Sequence, residues 1–384
     1  MSSASDPSPN ERDADLEALR GVVRRFVKDE VTPRIEAWEG EGRLPRELYR
    51  RAGDLGLLGV GFPEEYGGTP GDLRSMIAIT DELARSGSGG FVAGLMSHGI
   101  GLPPIIHFGS DALKARIAPA VIAGEKISAL AISEPDGGSD VANLRTSARR
   151  DGDHYVVCGS KMFITSGVQA DYITTAVRTG GPGFGGVSLL VIEGDTPGLT
   201  RTSLKKMGWL CSDTAALYFD ECRVPVDNLI GEENQGFAVI MRNFNGERLM
   251  IAAMAVAFAQ VCLDEAIAYA RDRVTFGKPL LKHQVIRHKL VDMATAIGPA
   301  RAYLHQVAAR VDRGEWPIAE VCMVKNAATR CFEHCAKEAV QIFGGAGYMQ
   351  GTVVERLYRE TKVLSIGGGA EEIMKELASR QLGW

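Results

Sequence analysis

Glu247-Arg248, in Asn245-Gly246-Glu247-Arg248-Leu249, leads into a long apolar stretch, and a carboxylate so placed has two uses. It can be a first-turn charge that complements the helix dipole. It can instead be a base aimed into a lined pocket, where desolvation raises its pKa from about 4.3 toward neutrality and suits it to proton abstraction near pH 7. Ala131 to Asp140, Ala-Ile-Ser-Glu-Pro-Asp-Gly-Gly-Ser-Asp, ends a short apolar run in a loop. Its glycines and hydroxyls can present donors to an anionic or planar group, although Glu-Pro-Asp-Gly-Gly is also ordinary turn chemistry. Gly159 to Gly167 sets Phe163 and Thr165 two apart in strand sequence, hence on one face. There a flat ring can lie over Phe163 while Thr165 donates a hydrogen bond; the alternative is a core Phe and an edge Thr.

Arg273-Val274-Thr275-Phe276-Gly277-Lys278, with His283 and Gln284 beyond, places a guanidinium and an aromatic ring after a helix. Arg suits bidentate phosphate recognition, and an Arg beside a turn Gly also ends many helices. Gln341-Ile342-Phe343-Gly344-Gly345-Ala346-Gly347-Tyr348 is a Gly-rich turn after a helix, which can face a pyrophosphate or simply cap the helix. Cys331, His334 and Cys335 share a helical face but lack a fourth partner, so packing is preferred over a zinc site and no metal is expected. No Walker loop, G-x-S-x-G elbow, H-E-x-x-H or strand-borne G-x-G-x-x-G is present.

The elements that carry these residues fall into three blocks. A chain of 384 residues, 45% hydrophobic, can bury a large core and form two or three domains. A net charge of −5 with scattered cations excludes a nucleic-acid field. No apolar run is expected to reach membrane-spanning length or to insert in a membrane, and Met1–Arg12 is polar, without a signal-peptide core, and reads as a disordered tail. Seven scattered cysteines without a framework point to reduced thiols and the cytoplasm. Residues 13–125 carry helical spacing, as in Leu16, Leu19, Val22, Val23, Phe26 and Val27. Further helices are expected over Leu48–Leu58, Asp72–Arg85, Phe91–His107 and Ser110–Gly124. Residues 126–233 alternate like strands, with an Asp151-Gly152 hairpin turn, and suit a compact antiparallel barrel. Residues 234–384 return to helices over Leu249–Arg273, His283–Val311, Ala319–Phe343 and Glu371–Leu382, the pattern of a bundle. The fold class is therefore α+β, with the β-domain between two helical ones.

Taken in order, these stretches resemble the acyl-CoA dehydrogenase family over nearly the whole chain. Lys206-Met207-Gly208-Trp209, Ser212-Asp213-Thr214-Ala215, Arg223-Val224-Pro225 and Asn228-Leu229-Ile230-Gly231 extend the match. The resemblance implies an N-terminal helical domain, a middle β-domain and a C-terminal four-helix bundle, assembled as a homotetramer or dimer around FAD. Ser133, Ser139, Phe163 and Thr165 would meet the flavin ring and pyrophosphate. Arg273, Phe276, Gln284, Gln341 and Gly345 would hold the ADP part of a neighbouring subunit's FAD. The implied reaction takes an acyl-CoA to a trans-2-enoyl-CoA, with hydride passing to flavin N5 and an electron-transfer flavoprotein as acceptor.

One departure is informative. Most members carry the catalytic glutamate in an Ile-Tyr-Glu-Gly-Thr-like stretch; here the segment is Ile366-Gly367-Gly368-Gly369-Ala370-Glu371-Glu372-Ile373, with Gly368 at the glutamate position. The long-chain and isovaleryl-type branch instead places its base in a Glu-Arg pair entering an apolar helix, so the resemblance assigns the base to Glu247. The N–H of Gly368 and a flavin ribityl hydroxyl would donate to the thioester oxygen, and Ser139, Arg248 and Gly367 would contact substrate. Ala370 stands where a Thr often meets flavin. Gly367–Gly369 reads as a flexible, roomy segment, suited to a bulky or branched acyl group. Two other readings stay open: an oxygen-dependent oxidase or monooxygenase on this fold, and a non-catalytic scaffold that binds FAD and CoA esters.

Overall fold

The helical character expected from Asp13 begins earlier, at Pro9, in a computed structural model that describes residues 9–384. The tail expected over residues 1–12 thus lies outside the described residues as far as Ser8, and its last four residues belong to helix α1 (Pro9–Phe26). Val27–Val31 forms a π-turn and Thr32–Arg34 a 3-10 turn, because Pro33 has no N–H to continue the ladder. Helices α2 (Ile35–Glu41), α3 (Arg46–Asp54) and α4 (Leu73–Ala84) follow. The single helix expected over Phe91–His107 is broken into α5 (Gly89–Leu95), α6 (His98–Gly101) and α7 (Pro103–Phe108). Pro103 starts a new helix, and Gly101 permits close contact with the sheet, since a Cβ there would lie 2.5 Å from Ser128 Oγ. Helix α8 (Asp111–Ile122) completes the domain.

The middle domain is β1 (Ser128–Ala131), β2 (Ser147–Asp151), β3 (His154–Thr165), β4 (Tyr172–Arg178), β5 (Val187–Glu193), β6 (Leu199–Ser203), β7 (Thr214–Pro225) and β8 (Leu229–Ile230). The hairpin turn is as expected, with Asp151 opposite His154 and Gly152 at φ +63°. The compact antiparallel barrel is found in part: most strand pairs are antiparallel. The order β6-β7-β3-β2-β4-β5-β8 leaves two ends, and the sheet is mixed, because β1 runs parallel to β4 and β2 meets β4 in parallel. Strands β1 and β4 share a direction because the β2–β3 hairpin lies between them in the chain.

The C-terminal block holds α9 (Gly236–Asp272), the ribbon β9 (Val274–Thr275) and β10 (Lys278–Pro279), and helices α10 (Gln284–Asp312), α11 (Ile318–Phe343), α12 (Gly345–Tyr348), α13 (Val353–Ile366) and α14 (Glu371–Leu382). Helix α13 escapes the apolar-stripe signal because the face it buries includes Glu355, Arg356 and Glu360. Counter to the expectation that no run could span a bilayer, α9 is long and apolar enough to do so. Its most apolar window is 67% buried in protein, the position of a bundle's central helix. One hydrophobic core runs from α1 through α9, α10, α11 and α13, so the two helical blocks share it.

Candidate active site

Helix α9 starts at Gly236, well before Leu249, and the polar residues of its first turns line a cavity instead of joining the core. The cavity, about 230 Å³, has walls from Leu73, Pro103, Phe108, Val239, Trp316 and Val321, with Glu247 among the lining side chains. At its edge the Arg242 guanidinium lies between two rings, 5.5 Å from the Phe108 centroid and 5.0 Å from that of Trp316. Glu247 Oε2 is buried and has no hydrogen-bond partner. Burial pushes its pKa up to about 7, and the positive charges of Arg248 and Lys325 limit the rise. A carboxylate at that balance is poised to take a proton near neutrality.

Glu247 faces the loop between α13 and α14. A Cβ built on Gly368 would stand 3.7 Å from Glu247 Oε1, so the carboxylate reaches the place that a side chain at 368 would use. The loop is neither roomy nor loose, which corrects the sequence expectation. A Cβ on Gly368 would meet Ile251 Cδ1 at 2.6 Å, and one on Gly369 would meet Met374 Cε at 2.5 Å. Both residues hold positive φ, +64° and +111°, which glycine alone adopts freely. Arg248, expected at the substrate, is buried and donates from Nε to Gly368 O (3.0 Å) and from Nη1 to Asn245 Oδ1 (3.2 Å). Lys325, from α11, donates to Gly369 O at 2.5 Å. Gly367 caps α13 through its own N–H to Val363 O (2.8 Å). Glu371, the nearest rival carboxylate in sequence, is paired with Arg330 and Lys375; those hydrogen bonds hold its pKa at about 2, out of range for a base.

The loop Ser133–Asp140 is anchored from beneath. Lys161 on β3 is fully buried and donates to Ile132 O and to Glu134 Oε1, both at 2.9 Å. Glu134 also accepts from the N–H groups of Arg145 (2.6 Å) and Thr146 (2.9 Å). Burial alone would raise the Glu134 pKa, but Lys161 and these donors bring it below the ordinary carboxylate value. Ser133 is half-buried and Ser139 exposed above this pair. The one-face pairing of Phe163 and Thr165 does not hold. A register shift between Lys161 and Ile164 breaks the two-residue alternation, so Phe163 takes φ +64° and turns its ring outward, 68% exposed. Such a conformation costs about 1–3 kcal/mol and is kept where function needs it.

Phe276 repeats the pattern. It shares the β9–β10 turn with Gly277, both at positive φ (+48° and +76°), and is 97% exposed. Arg273 and Gln284 flank that turn, Gln341 lies in the last turn of α11 and Gly345 opens α12; all are exposed. Tyr269 stacks on Phe343 with ring centroids 4.1 Å apart, which ties the ends of α9 and α11 together. Nothing lies within 4 Å of a Cβ built on Gly344 or Gly345, so backbone is open there to a pyrophosphate. The hydroxyl loop with the outward Phe163 ring, and the bundle end with Phe276, Arg273 and open glycine backbone, each fit a part of a flavin dinucleotide. Among the described residues, no group of three His, Cys, Asp or Glu side chains is arranged to hold a metal ion.

Two features of the site were not read from the sequence: the Lys161–Glu134 pair and Lys325. Each lysine leaves a trace, a cation at an inward strand position and one inside the apolar run Val321–Ala328. Neither trace says what the ammonium touches.

Comparison with known proteins places this architecture among flavin-dependent oxidoreductases. Family models described as the N-terminal, middle and C-terminal domains of acyl-CoA dehydrogenase match residues 13–125, 129–222 and 234–383. The chain is 36% identical to cyclohexane-1-carbonyl-CoA dehydrogenase of Geobacter metallireducens over 363 residues, 94% of this chain and 95% of that protein. An acyl-CoA dehydrogenase structure from Geobacillus kaustophilus superposes with a TM-score of 0.93 at 36% identity, covering 96% of this chain and 98% of that one. A glutaryl-CoA dehydrogenase from Mycobacterium smegmatis in complex with FADH2 gives a TM-score of 0.89 at 27% identity, with coverage of 97% and 96%. The chain belongs to the acyl-CoA dehydrogenase family. Members are FAD-dependent oxidoreductases.

Proposed function

We propose that this protein dehydrogenates an acyl-CoA thioester at its α,β bond to give a trans-2-enoyl-CoA, with Glu247 as the α-proton base. One observation carries the reading: a buried carboxylate with an unpartnered oxygen stands against Gly368, in a loop that offers no glutamate of its own at that place. FAD would be held by Ser133, Ser139, Phe163 and Thr165, with its ADP part on the exposed bundle-end set of a neighbouring subunit, and would supply the hydride acceptor. Glu247 takes the α-proton, made acidic by the thioester carbonyl. The N–H of Gly368 has no protein partner among the described residues and is available to the thioester oxygen as charge grows on it, a contact worth about 3–4 kcal/mol in the transition state. Phe108, Val239 and Leu249 keep water from the acyl group in the cavity beside Glu247.

The test is anaerobic mixing of the purified holoprotein with a panel of acyl-CoAs while the flavin absorbance is followed. Bleaching by some members supports the reading; a yellow protein that none of them bleaches overturns it. The cavity of about 230 Å³ is smaller than most ligand pockets, so compact, branched or cyclic acyl groups are expected to react faster than long straight ones. A preference for long straight chains would exclude that assignment of the acyl group.

The pH profile follows from the base. Glu247 acts only when ionised, and its pKa lies raised at about 7. Below that value kcat/KM should fall about tenfold per pH unit, and above it level off. An apparent pKa near 4 would contradict a desolvated base.

We further propose a homotetramer or dimer, an electron-transfer flavoprotein as acceptor and a cytoplasmic location. Apolar side chains exposed at the bundle end, Phe276, Tyr348 and Met349 among them, fit a subunit interface. Seven free cysteines, six of them buried, fit a reducing compartment.

A further inference from the structure

Lys325 is a lysine in the middle of α11 whose ammonium is wholly buried. Three donors in a dry site need partners. One reaches Gly369 O at 2.5 Å, and Ser365 O lies 3.5 Å away. Across the same loop Arg248 holds Gly368 O. Consecutive carbonyls of the loop are thus gripped by cations from two helices. In a trans peptide the N–H of the next residue points opposite to the carbonyl, and no peptide bond among the described residues is cis. Gripping Gly368 O and Gly369 O therefore fixes the amides of Gly369 and Ala370 away from α9 and α11. Neither amide has a hydrogen-bond partner among the described residues.

We propose that Lys325 is a positioning residue for the reaction: it anchors the glycine loop through Gly369 O and, from that anchor, keeps Glu247 ionised. The inference rests on the reading of Glu247 as the base. Lys325 is too far from Glu247 for an ion pair, so it acts through the field and through the loop, not by proton transfer. Arg248 and Lys325 are the charges that bear on Glu247; Arg248, Cys322, Glu247 and Glu371 bear on Lys325. Around the cavity that Glu247 lines, α7 brings His107 and α9 itself Arg242, while α6 brings His98, bound to Leu58 O; burial lowers the pKa of both histidines and favours their neutral forms. Among the described residues, Lys325 is thus the cation outside α9 that both bonds to the loop and bears on the charge of Glu247.

The test compares Lys325→Met and Lys325→Arg with the native holoprotein. It uses the lower limb of the kcat/KM pH profile and an isotope-edited infrared titration of the Glu247 carboxyl band, identified by its loss in Glu247→Gln. Removing the nearby positive charge should move the apparent pKa of Glu247 up by about one unit, leaving roughly tenfold less carboxylate at a pH below it. Lys325→Arg should return it most of the way. A limb and a band that stay put in Lys325→Met overturn the proposal, even if the rate falls, because a merely structural lysine would lower the rate alone. An Arg variant that shifts as far as the Met variant also overturns it. Should Lys325→Met fail to fold, Lys325→Gln is read the same way. The infrared titration needs no turnover, so it decides on Lys325 even if Glu247→Gln proves active and the base reading fails.

Discussion

Glu247→Gln is expected to lower turnover of every acyl-CoA by about 10³-fold or more, while FAD content and thioester binding stay as they are. The amide has the shape of the carboxyl group and cannot take the proton. No neighbour can replace it: residue 368 has no side chain, and Glu371 is tied to Arg330 and Lys375. The same substitution should raise stability at alkaline pH. Glu247 has its folded pKa raised to about 7, so between the ordinary glutamate value and 7 the native state binds more protons than the unfolded one. Stability then falls as pH rises through that window, and Gln removes the loss. The variant should melt above the parent at pH 8 and level with it near pH 4. A residue kept for structure would show the reverse, lower stability with activity largely retained. Turnover within tenfold of the parent would end the assignment of Glu247 as the base. Glu247→Gly with Gly368→Glu should restore part of the activity, because the new side chain starts 3.7 Å from the lost oxygen. Recovery stays partial, since φ +64° and the contact with Ile251 strain any residue but glycine there.

Lys161→Met should cost about 3–5 kcal/mol in denaturant unfolding and weaken FAD retention together. The pair with Glu134 is almost wholly buried, with Lys161 0% and Glu134 7% exposed. Removing the ammonium leaves a carboxylate in the interior with backbone donors alone and frees Ile132 O. These atoms bracket Ser133, so the loop that carries Ser133 and Ser139 loosens as the pair breaks. Pairing the change with Glu134→Leu should recover much of the stability, since an apolar pair of similar volume avoids the buried charge. FAD retention should stay low, because Leu cannot accept from Arg145 and Thr146. A loss below about 1 kcal/mol for Lys161→Met would mean that water reaches the pair.

The sequence by itself determined which residues can do chemistry. That residue 368 cannot be a base, and that a Glu-Arg pair precedes an apolar run, follow from side-chain identity alone; that the pair sits inside α9, eleven residues past its start, and not in its first turn, does not. The three-block order was legible too, because periods of 3.6 and 2 are local properties of the chain. The signal failed where local rules break. Alternation places Phe163 beside Thr165 only if the strand is regular, and the bulge before Ile164 turns the ring out. Helix α13 hid because it buries charged side chains, and the parallel pairing of β1 and β2 with β4 escaped because alternation says nothing of order or direction. The segment of three glycines suggested looseness, yet Arg248 and Lys325 hold its carbonyls and Ile251 and Met374 fill its flanks. Only tertiary structure decided the state of Glu247. Burial raises its pKa, and the charges of Arg248 beside it and of Lys325, far along the chain on another helix, limit the rise; no pattern in the sequence records the burial or the second of those charges.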